Sequence, residues 1–296
     1  MSDPAPDPAP DGPRFHLVDV FAERPYAGNQ LAVVESRGRL DDDAMLALAA
    51  EFGFSETTFV ESVADGTVRI FTPEAEIDFA GHPTLGTAHV LRTLRGEGEG
   101  EGDTTLDLGV GPVPVAARED GTLWMTQRAP TFGDELDPAT VAGVLGLAPD
   151  AVEGTPQVVS TGLPTAVVGL SDRGALTAID LDRDAYDAFV DGRDAKNVLA
   201  FCADPRDGAH DLAARVFAPF YGVPEDPATG SSNGCLAAYL ARRRWFGAAT
   251  VEARVEQGHE MGRPSLLGIE ATDGADGVTV GVGGRVIPVG RGRLAR

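Results

Sequence analysis

Three short segments carry residues able to move a proton or hold an anion. Phe54-Ser55-Glu56-Thr57-Thr58-Phe59 sets one carboxylate among aromatic and β-branched neighbours, where a helix should end and an apolar strand begin. Desolvation there would raise the Glu56 pKa toward useful acid–base values, whereas a solvated turn would leave it ordinary. Glu225-Asp226-Pro227-Ala228-Thr229-Gly230-Ser231 places Asp226 where it could accept a substrate N–H or O–H, or simply form an Asx turn before Pro227. Gly81-His82-Pro83 puts His82 at a helix start, as an acid–base group, a hydrogen-bond donor or a neutral end residue.

Gly81-His82 and Thr229-Gly230-Ser231 both precede apolar helices, so each start offers free N–H groups and the positive end of a helix dipole. Ser231 could serve as an ordinary N-cap. Two such starts facing one cleft would instead bind a carboxylate or phosphate.

Other chemistries find less support. Gly230-Ser231-Ser232-Asn233-Gly234 matches GxSxG, but Pro224 and Pro227 stand where a nucleophile elbow needs a strand, and His259 alone lies downstream. The five histidines show no HExxH or paired metal spacing. Lys196, the only lysine, sits in the polar run Asp191-Gly192-Arg193-Asp194-Ala195-Lys196-Asn197, a poor place for a Schiff base. No metal and no cofactor is therefore expected.

The elements that must position these groups repeat once along the chain. Gly28-Asn29-Gln30-Leu31-Ala32-Val33-Val34 returns as Gly162-Leu163-Pro164-Thr165-Ala166-Val167-Val168, Arg69-Ile70-Phe71-Thr72-Pro73 as Arg215-Val216-Phe217-Ala218-Pro219, and the Gly81 helix start as Gly230. Their separations, 134, 146 and 149, drift as loop insertions would make them. Each half reads as short β-branched strands with one helix, near Pro83–Leu94 and Ser231–Arg243, apolar on every side and so enclosed. Pro83 suits a first helical turn. Strands are expected at 15–20, 30–35, 57–61, 68–72, 104–108 and 113–117, then at 157–160, 165–170, 197–201, 213–218, 250–256 and 277–282, with Pro114 confining its strand to an edge. A surface helix is expected over Asp42–Phe52, capped by Asp41 or Asp42 and ended by Gly53.

The composition narrows the partners. With 43% hydrophobic residues the chain can build full cores, and no apolar run approaches the ~20 residues of a membrane span. A formal charge of −22 repels nucleic acid. Two readings of this acidic, lysine-poor and arginine-rich composition compete: GC-rich coding bias, which swaps Lys for Arg, and adaptation to high salt, where dense carboxylates keep a protein soluble. Cys202 and Cys235 form no CxxC pair, as expected of a reducing, cytoplasmic setting. Residues 1–13, rich in Asp, Pro and Ala, read as a disordered tail and not a signal peptide.

Together the segments resemble the PhzF-like family, named for the phenazine-biosynthesis isomerase and related to diaminopimelate epimerase. The resemblance rests on Val18-Asp19-Val20-Phe21 with Gly28-Asn29-Gln30, Ser55-Glu56-Thr57-Thr58-Phe59, Phe71-Thr72-Pro73 through Asp78-Phe79-Ala80-Gly81-His82-Pro83, Asp226-Pro227-Ala228-Thr229-Gly230-Ser231, and Gln257-Gly258 with Gly262-Arg263-Pro264-Ser265. It implies an α+β fold of two similar domains, each a barrel-like sheet wrapped around a central helix, here 14–130 and 131–284, with 285–296 returning to the first. It also implies a homodimer, with Glu56 as the acid–base residue and Asn29, Gly81, His82, Asp226, Thr229, Gly230 and Ser231 around the substrate. The related epimerases place one cysteine at each central helix start. This chain has Ala80-Gly81-His82-Pro83 and Ala228-Thr229-Gly230-Ser231 there, with Cys235 about one turn further on.

The reading that follows is a cofactor-free isomerase moving a proton on a small carboxylate-bearing substrate. A racemase or epimerase, and a non-catalytic binding protein on the same scaffold, are the alternatives. A hinge between the halves is expected near Arg128–Asp137.

Overall fold

A computed structural model describes residues 12–97 and 102–295. Most of the expected tail lies outside the described residues, but Gly12 and Pro13 belong to the folded body: Gly12 is buried and its carbonyl accepts from Arg293 Nη1, while the Pro13 carbonyl accepts from Leu294 N.

The first half runs β1 (Arg14–Val20), β2 (Asn29–Glu35), α1 (Asp42–Phe52), β3 (Thr57–Ser62), β4 (Thr67–Phe71), β5 (Glu76–Ile77), α2 (Gly81–Arg95), β6 (Gly102–Leu108), β7 (Gly111–Ala117) and β8 (Leu123–Thr126). The second runs β9 (Thr131–Glu135), α3 (Pro138–Val144), β10 (Val152–Ser160), β11 (Pro164–Leu170), α4 (Arg173–Thr177), α5 (Arg183–Val190), β12 (Asn197–Cys202), β13 (Leu212–Ala218), β14 (Val223–Asp226), α6 (Gly230–Arg243), β15 (Thr250–Gln257), β16 (Ser265–Gly274) and β17 (Gly277–Gly284), before β18 (Val286–Arg293).

Strand pairing repeats in step with the sequence. β2 runs parallel to β3 as β11 does to β12, β4 parallel to β6 as β13 does to β15, and the remaining neighbours β1–β2, β3–β4, β6–β7 and β10–β11, β12–β13, β15–β16 are antiparallel. The halves join in a symmetric way. β8 and β17 pair with each other, β9 then adds to β10, and β18 adds to β1. The stretch expected to hinge is therefore partly strand: Thr131–Glu135 is β9, Gln127 N still donates to the Val280 carbonyl, and the connection is residues 128–130.

Each half closes around its central helix. α2 buries every residue from His82 to Ala88, and α6 buries Ser232 through Ala241, because both sequences are small or apolar on all sides. Gly86 has no room for a side chain, since a Cβ there would lie 2.5 Å from Leu31 Cδ2 and 2.8 Å from Val20 Cγ2. On the outer faces α1 covers a cluster of Val34, Met45, Phe59 and Phe71, and α3, α4 and α5 cover another around Tyr186, Phe189 and Phe217.

All expected strands are present, with small shifts at their ends. Pro114 pairs with Thr105 of β6, while β8 meets β7 only at Ala116 and Ala117, so the missing N–H faces an open edge. Unexpected are β5, β8, β9, β14, β16 and helices α3 to α5. Among these, β14 corrects one premise: a short strand does precede the GxSxG segment. No helix among the described residues is long and apolar enough to cross a membrane.

Candidate active site

The two central helices begin against each other. A Cβ built on Gly81 would lie 3.7 Å from the Ser231 amide nitrogen and 3.8 Å from Gly230 Cα, and one on Gly230 would lie 4.0 Å from Gly81 Cα. The other four α-helices start in a uniform way, with the side chain of Asp41, Asp137, Asp172 or Asp182 accepting from a first-turn N–H. The central helices have no such cap: Ala80 has no group to offer, and Thr229 turns its hydroxyl elsewhere. Their first-turn N–H groups and dipoles converge on one place, and no N-cap side chain meets them.

Glu56 reaches this place from the first half. Gly53 ends α1 in the left-handed region with φ 64°, and four residues later β3 begins, leaving Glu56 at the mouth of the parallel β2–β3 pair. Its side chain keeps 18% of its surface open, yet Oε2 is enclosed and has no hydrogen-bond partner among the described residues. Burial, reinforced by the Asp226 charge, pushes Glu56 up to about 8. His82, second residue of α2, is 6% exposed. Its Nε2–H donates to the Gln30 carbonyl at 3.3 Å, which leaves Nδ1 as the unprotonated nitrogen, 3.5 Å from Glu56 Oε2. Burial drives His82 down to about 4, so the imidazole is neutral beside a protonated Glu56.

Asp226 enters from the second half, at the end of β14. Burial raises it to about 6, against the lowering effect of hydrogen bonds from Thr229 and Asn29. Near neutral pH the site thus holds one carboxylate, one carboxylic acid and a neutral imidazole, two carboxyls kept in different states by their surroundings.

Two expected contacts act differently. Asn29, 3% exposed, gives both Nδ2 hydrogens to protein, one to Asp226 Oδ1 at 3.0 Å and one to the Ala228 carbonyl at 3.0 Å. The Thr229 hydroxyl donates to Asp226 Oδ2 and accepts from Gln257 Nε2. Both residues hold Asp226 in place, because burying a carboxylate requires donors and these side chains supply them. Ser231 remains partly open, with no partner for Oγ among the described residues, and Gly81 and Gly230 keep the helix starts narrow.

Sequence reasoning assigned no role to the supports behind this turn. Gln257 Nε2 donates to the Asp226 carbonyl at 2.7 Å, and its Oε1 accepts from Asn233 Nδ2 at 2.8 Å and from Thr229 N at 3.3 Å. Gln127 Nε2 donates to the Gly230 carbonyl at 2.9 Å, and a Cβ on Gly234 would lie 1.9 Å from Gln127 Oε1. Gln257 was visible in the sequence as the partner of Gly258; Gln127 gave no signal.

The competing chemistries have no site here. Ser232 is fully buried and exchanges hydrogen bonds with Thr165 and Asn197. Cys235 is enclosed beside Thr161 and Leu163, and burial pushes its thiol and that of Cys202 upward. Lys196 donates to the Val190 carbonyl at 2.7 Å and lies over the Phe220 ring. No group of His, Cys, Asp and Glu among the described residues is arranged for a metal ion. A surface depression of about 480 Å³, lined by Arg24, Arg206, His210 and His259 among others, contains none of the residues above. It is solvent-open and shares no lining residue with Glu56, His82 or Asp226.

Known proteins agree with this architecture. The chain is 34% identical to an uncharacterized isomerase of Mesorhizobium japonicum, over 95% of this chain and 98% of that one. It is 36% identical to the trans-2,3-dihydro-3-hydroxyanthranilate isomerase of Pseudomonas aeruginosa, over 86% and 88%. The crystal structure of a Bacillus anthracis phenazine biosynthesis protein of the PhzF family superposes with a TM-score of 0.86 at 25% identity, covering 97% of this chain and all of the other. Residues 18–292 match the PhzC-PhzF family, described as phenazine biosynthesis-like protein. With its duplicated fold and with relatives named as isomerases, the chain belongs to the PhzC-PhzF family and is an isomerase.

Proposed function

We propose that the protein moves a proton between two positions of a small carboxylate-bearing substrate, with Glu56 as the group that removes it and returns it. The observation that carries this reading is the enclosed Glu56 Oε2, unpartnered in hydrogen bonding and 3.5 Å from a neutral imidazole nitrogen. A buried carboxyl raised to about 8 has the basicity that general acid–base catalysis near neutral pH requires. The substrate carboxylate meets the N–H groups at the starts of α2 and α6, and Asp226 accepts from an amine or hydroxyl. The transfer needs no group beyond these side chains. The Pseudomonas aeruginosa relative suggests the substrate class: a ring carboxylate bearing amino and hydroxyl groups.

The strand registers favour an isomerase over a two-base racemase. Ala32 lies beside Thr57, so Leu31 lies beside Glu56; Thr165, the repeat partner of Leu31, lies beside Asn197. Thr58 faces Ile70 as Leu199 faces Val216, which again sets Asn197 opposite Glu56 in the duplication. Ser231 likewise matches His82. An amide and a hydroxyl cannot take a proton from carbon, so neither Asn197 nor Ser231, the duplicated counterparts of Glu56 and His82, supplies a second base.

The test is to incubate the protein with trans-2,3-dihydro-3-hydroxyanthranilate in D₂O and follow the ring hydrogens by NMR. Relocation of a ring hydrogen with deuterium entering on one face is expected. Racemisation without relocation, or tight binding without turnover, overturns the reading.

A further inference from the structure

Residues 28 and 29 lie in the first half, and the second half grips both. Asn29 Nδ2 reaches across to Asp226 and Ala228, as described above. The preceding residue is held by Arg263, from the turn between β15 and β16. Arg263 Nε donates to the Gly28 carbonyl at 3.0 Å, and Nη2 donates to the Ala27 carbonyl at 2.6 Å and to Asp19 Oδ1 at 2.6 Å. Gly28 N returns a bond to the Pro264 carbonyl at 3.0 Å. Asp19 is 3% exposed, and its other oxygen accepts from Tyr26 N at 2.7 Å, so the Asp19–Arg263 ion pair ties both ends of the loop from 26 to 28. Gly28 has no slack. Its φ is +65°, and a Cβ would lie 2.4 Å from the Val20 carbonyl oxygen.

From this geometry we infer that Arg263 is a positioning residue for the active site, fixing the backbone of Gly28 so that the Asn29 amide is aimed at Asp226. A guanidinium suits the task because its planar fork can bind two carbonyls and a carboxylate together, which an ammonium cannot do with the same geometry. The inference rests on Asp226 belonging to the site. Its consequence, however, is readable without substrate. The Asn29 hydrogen bond favours the ionised form of Asp226, so loosening the loop should make that carboxyl harder to ionise. The other ionisable groups acting on Asp226 are Glu225, its neighbour in β14, and Glu56 from the start of β3. None of these touches Arg263.

The experiment is a ¹³C NMR titration of the Asp226 carboxyl in protein labelled at aspartate, with the signal identified by its loss in Asp226→Asn. Wild type is compared with Asn29→Ala, Arg263→Ala, Arg263→Lys and the double variant Asn29→Ala/Arg263→Ala. The expected result is a titration moved to higher pH in Asn29→Ala, moved the same way in Arg263→Ala, and moved no further in the double variant. Arg263→Lys keeps the charge beside Asp19 and serves as the readout if the alanine variant fails to fold; it too should move the titration upward. An unchanged Asp226 titration in whichever Arg263 variant folds overturns the inference, as does an unchanged one in Asn29→Ala. A shifted titration in a protein that turns over no substrate would leave Arg263 in its role and remove only the isomerase reading.

Discussion

His82 Nδ1 faces Glu56 Oε2 at 3.5 Å, while the other ring nitrogen of His82 is tied to the Gln30 carbonyl. That tie selects the tautomer. A carbonyl accepts only, so Nε2 carries the hydrogen and Nδ1 presents a lone pair to the carboxyl. The imidazole then favours the protonated form of Glu56 without carrying charge itself, which in the proposed reaction would hold the transferred proton on Glu56 between its removal and its return.

Kinetics should reflect this arrangement. Glu56→Gln preserves shape and removes proton transfer, so kcat should fall by at least ~10² while the fold and ligand binding survive. In the wild type kcat/KM should rise with pH through about 8 as Glu56 loses its proton. The apparent value belongs to the Glu56–Asp226 pair. His82, held near 4, should add no limb in that range. A profile that falls through pH 8, or near-normal turnover by the glutamine variant, would contradict the assignment.

Stability should carry the same signature. Glu56 and Asp226 both have folded values above their ordinary ones, about 8 against 4.5 and about 6 against 3.8. The folded state binds their protons more tightly than the unfolded chain does. Their contribution is therefore complete below the ordinary values and is lost as pH rises through about 6 and then about 8. Thermal unfolding followed between about pH 5 and about pH 9 should show Tm falling across that window. Glu56→Gln should flatten the upper part of the fall and Asp226→Asn the lower part. Parallel curves for all three proteins would show that these carboxyls are not desolvated.

Anion binding gives a third check. A Cβ on Gly230 would sit 3.5 Å from the Phe21 ring and 4.0 Å from Gly81 Cα, ordinary contact distances. Gly230→Ala should therefore fold, yet it places a methyl group between the two helix starts. Ser231→Ala removes one hydroxyl and leaves the N–H groups. Calorimetry with anthranilate should show a loss of up to ~10-fold for Ser231→Ala and a larger loss for Gly230→Ala. Unaltered affinity in Gly230→Ala would place the carboxylate elsewhere.

Charge gives the fourth. At −22 and low ionic strength, where the Debye length is ~30 Å, carboxylates repel across the whole surface. If the acidity is a salt adaptation, Tm should climb steadily as KCl rises into the molar range. A flat response assigns the composition to coding bias.

The parts of the site legible in the sequence were those whose meaning is local. Glu56, His82 and Asp226 each sit at an element boundary marked by Gly or Pro, and the duplicated anchors placed the two helix starts in one fold. Gln127 bonds a carbonyl 103 positions away and has no local signature, and Gln257, visible beside Gly258, supports a turn 28 residues upstream, so its role was not legible. Asn29 and Thr229 were legible as site residues but not as supports, because which way an amide or hydroxyl turns depends on burial. The helices α3 to α5 were missed although each starts at an Asp, since short amphipathic segments in an acid-rich chain look like loops until a sheet face covers them. Strand β18 carries Pro288, Gly290 and Gly292, all poor strand formers, and holds its place through pairing with β1.

The reciprocal exchange of β9 and β18 sets a schedule for synthesis. β1 is made long before β18, yet β18 is one of its two neighbours, with Arg14 opposite Arg293. The N-terminal barrel cannot close until β18 has been made, whereas β9 precedes β10 and lets the C-terminal barrel assemble as it emerges. The half translated first is thus the half completed last. Throughout elongation it presents an open strand edge, and there a nascent chain is most exposed to mispairing and to chaperones.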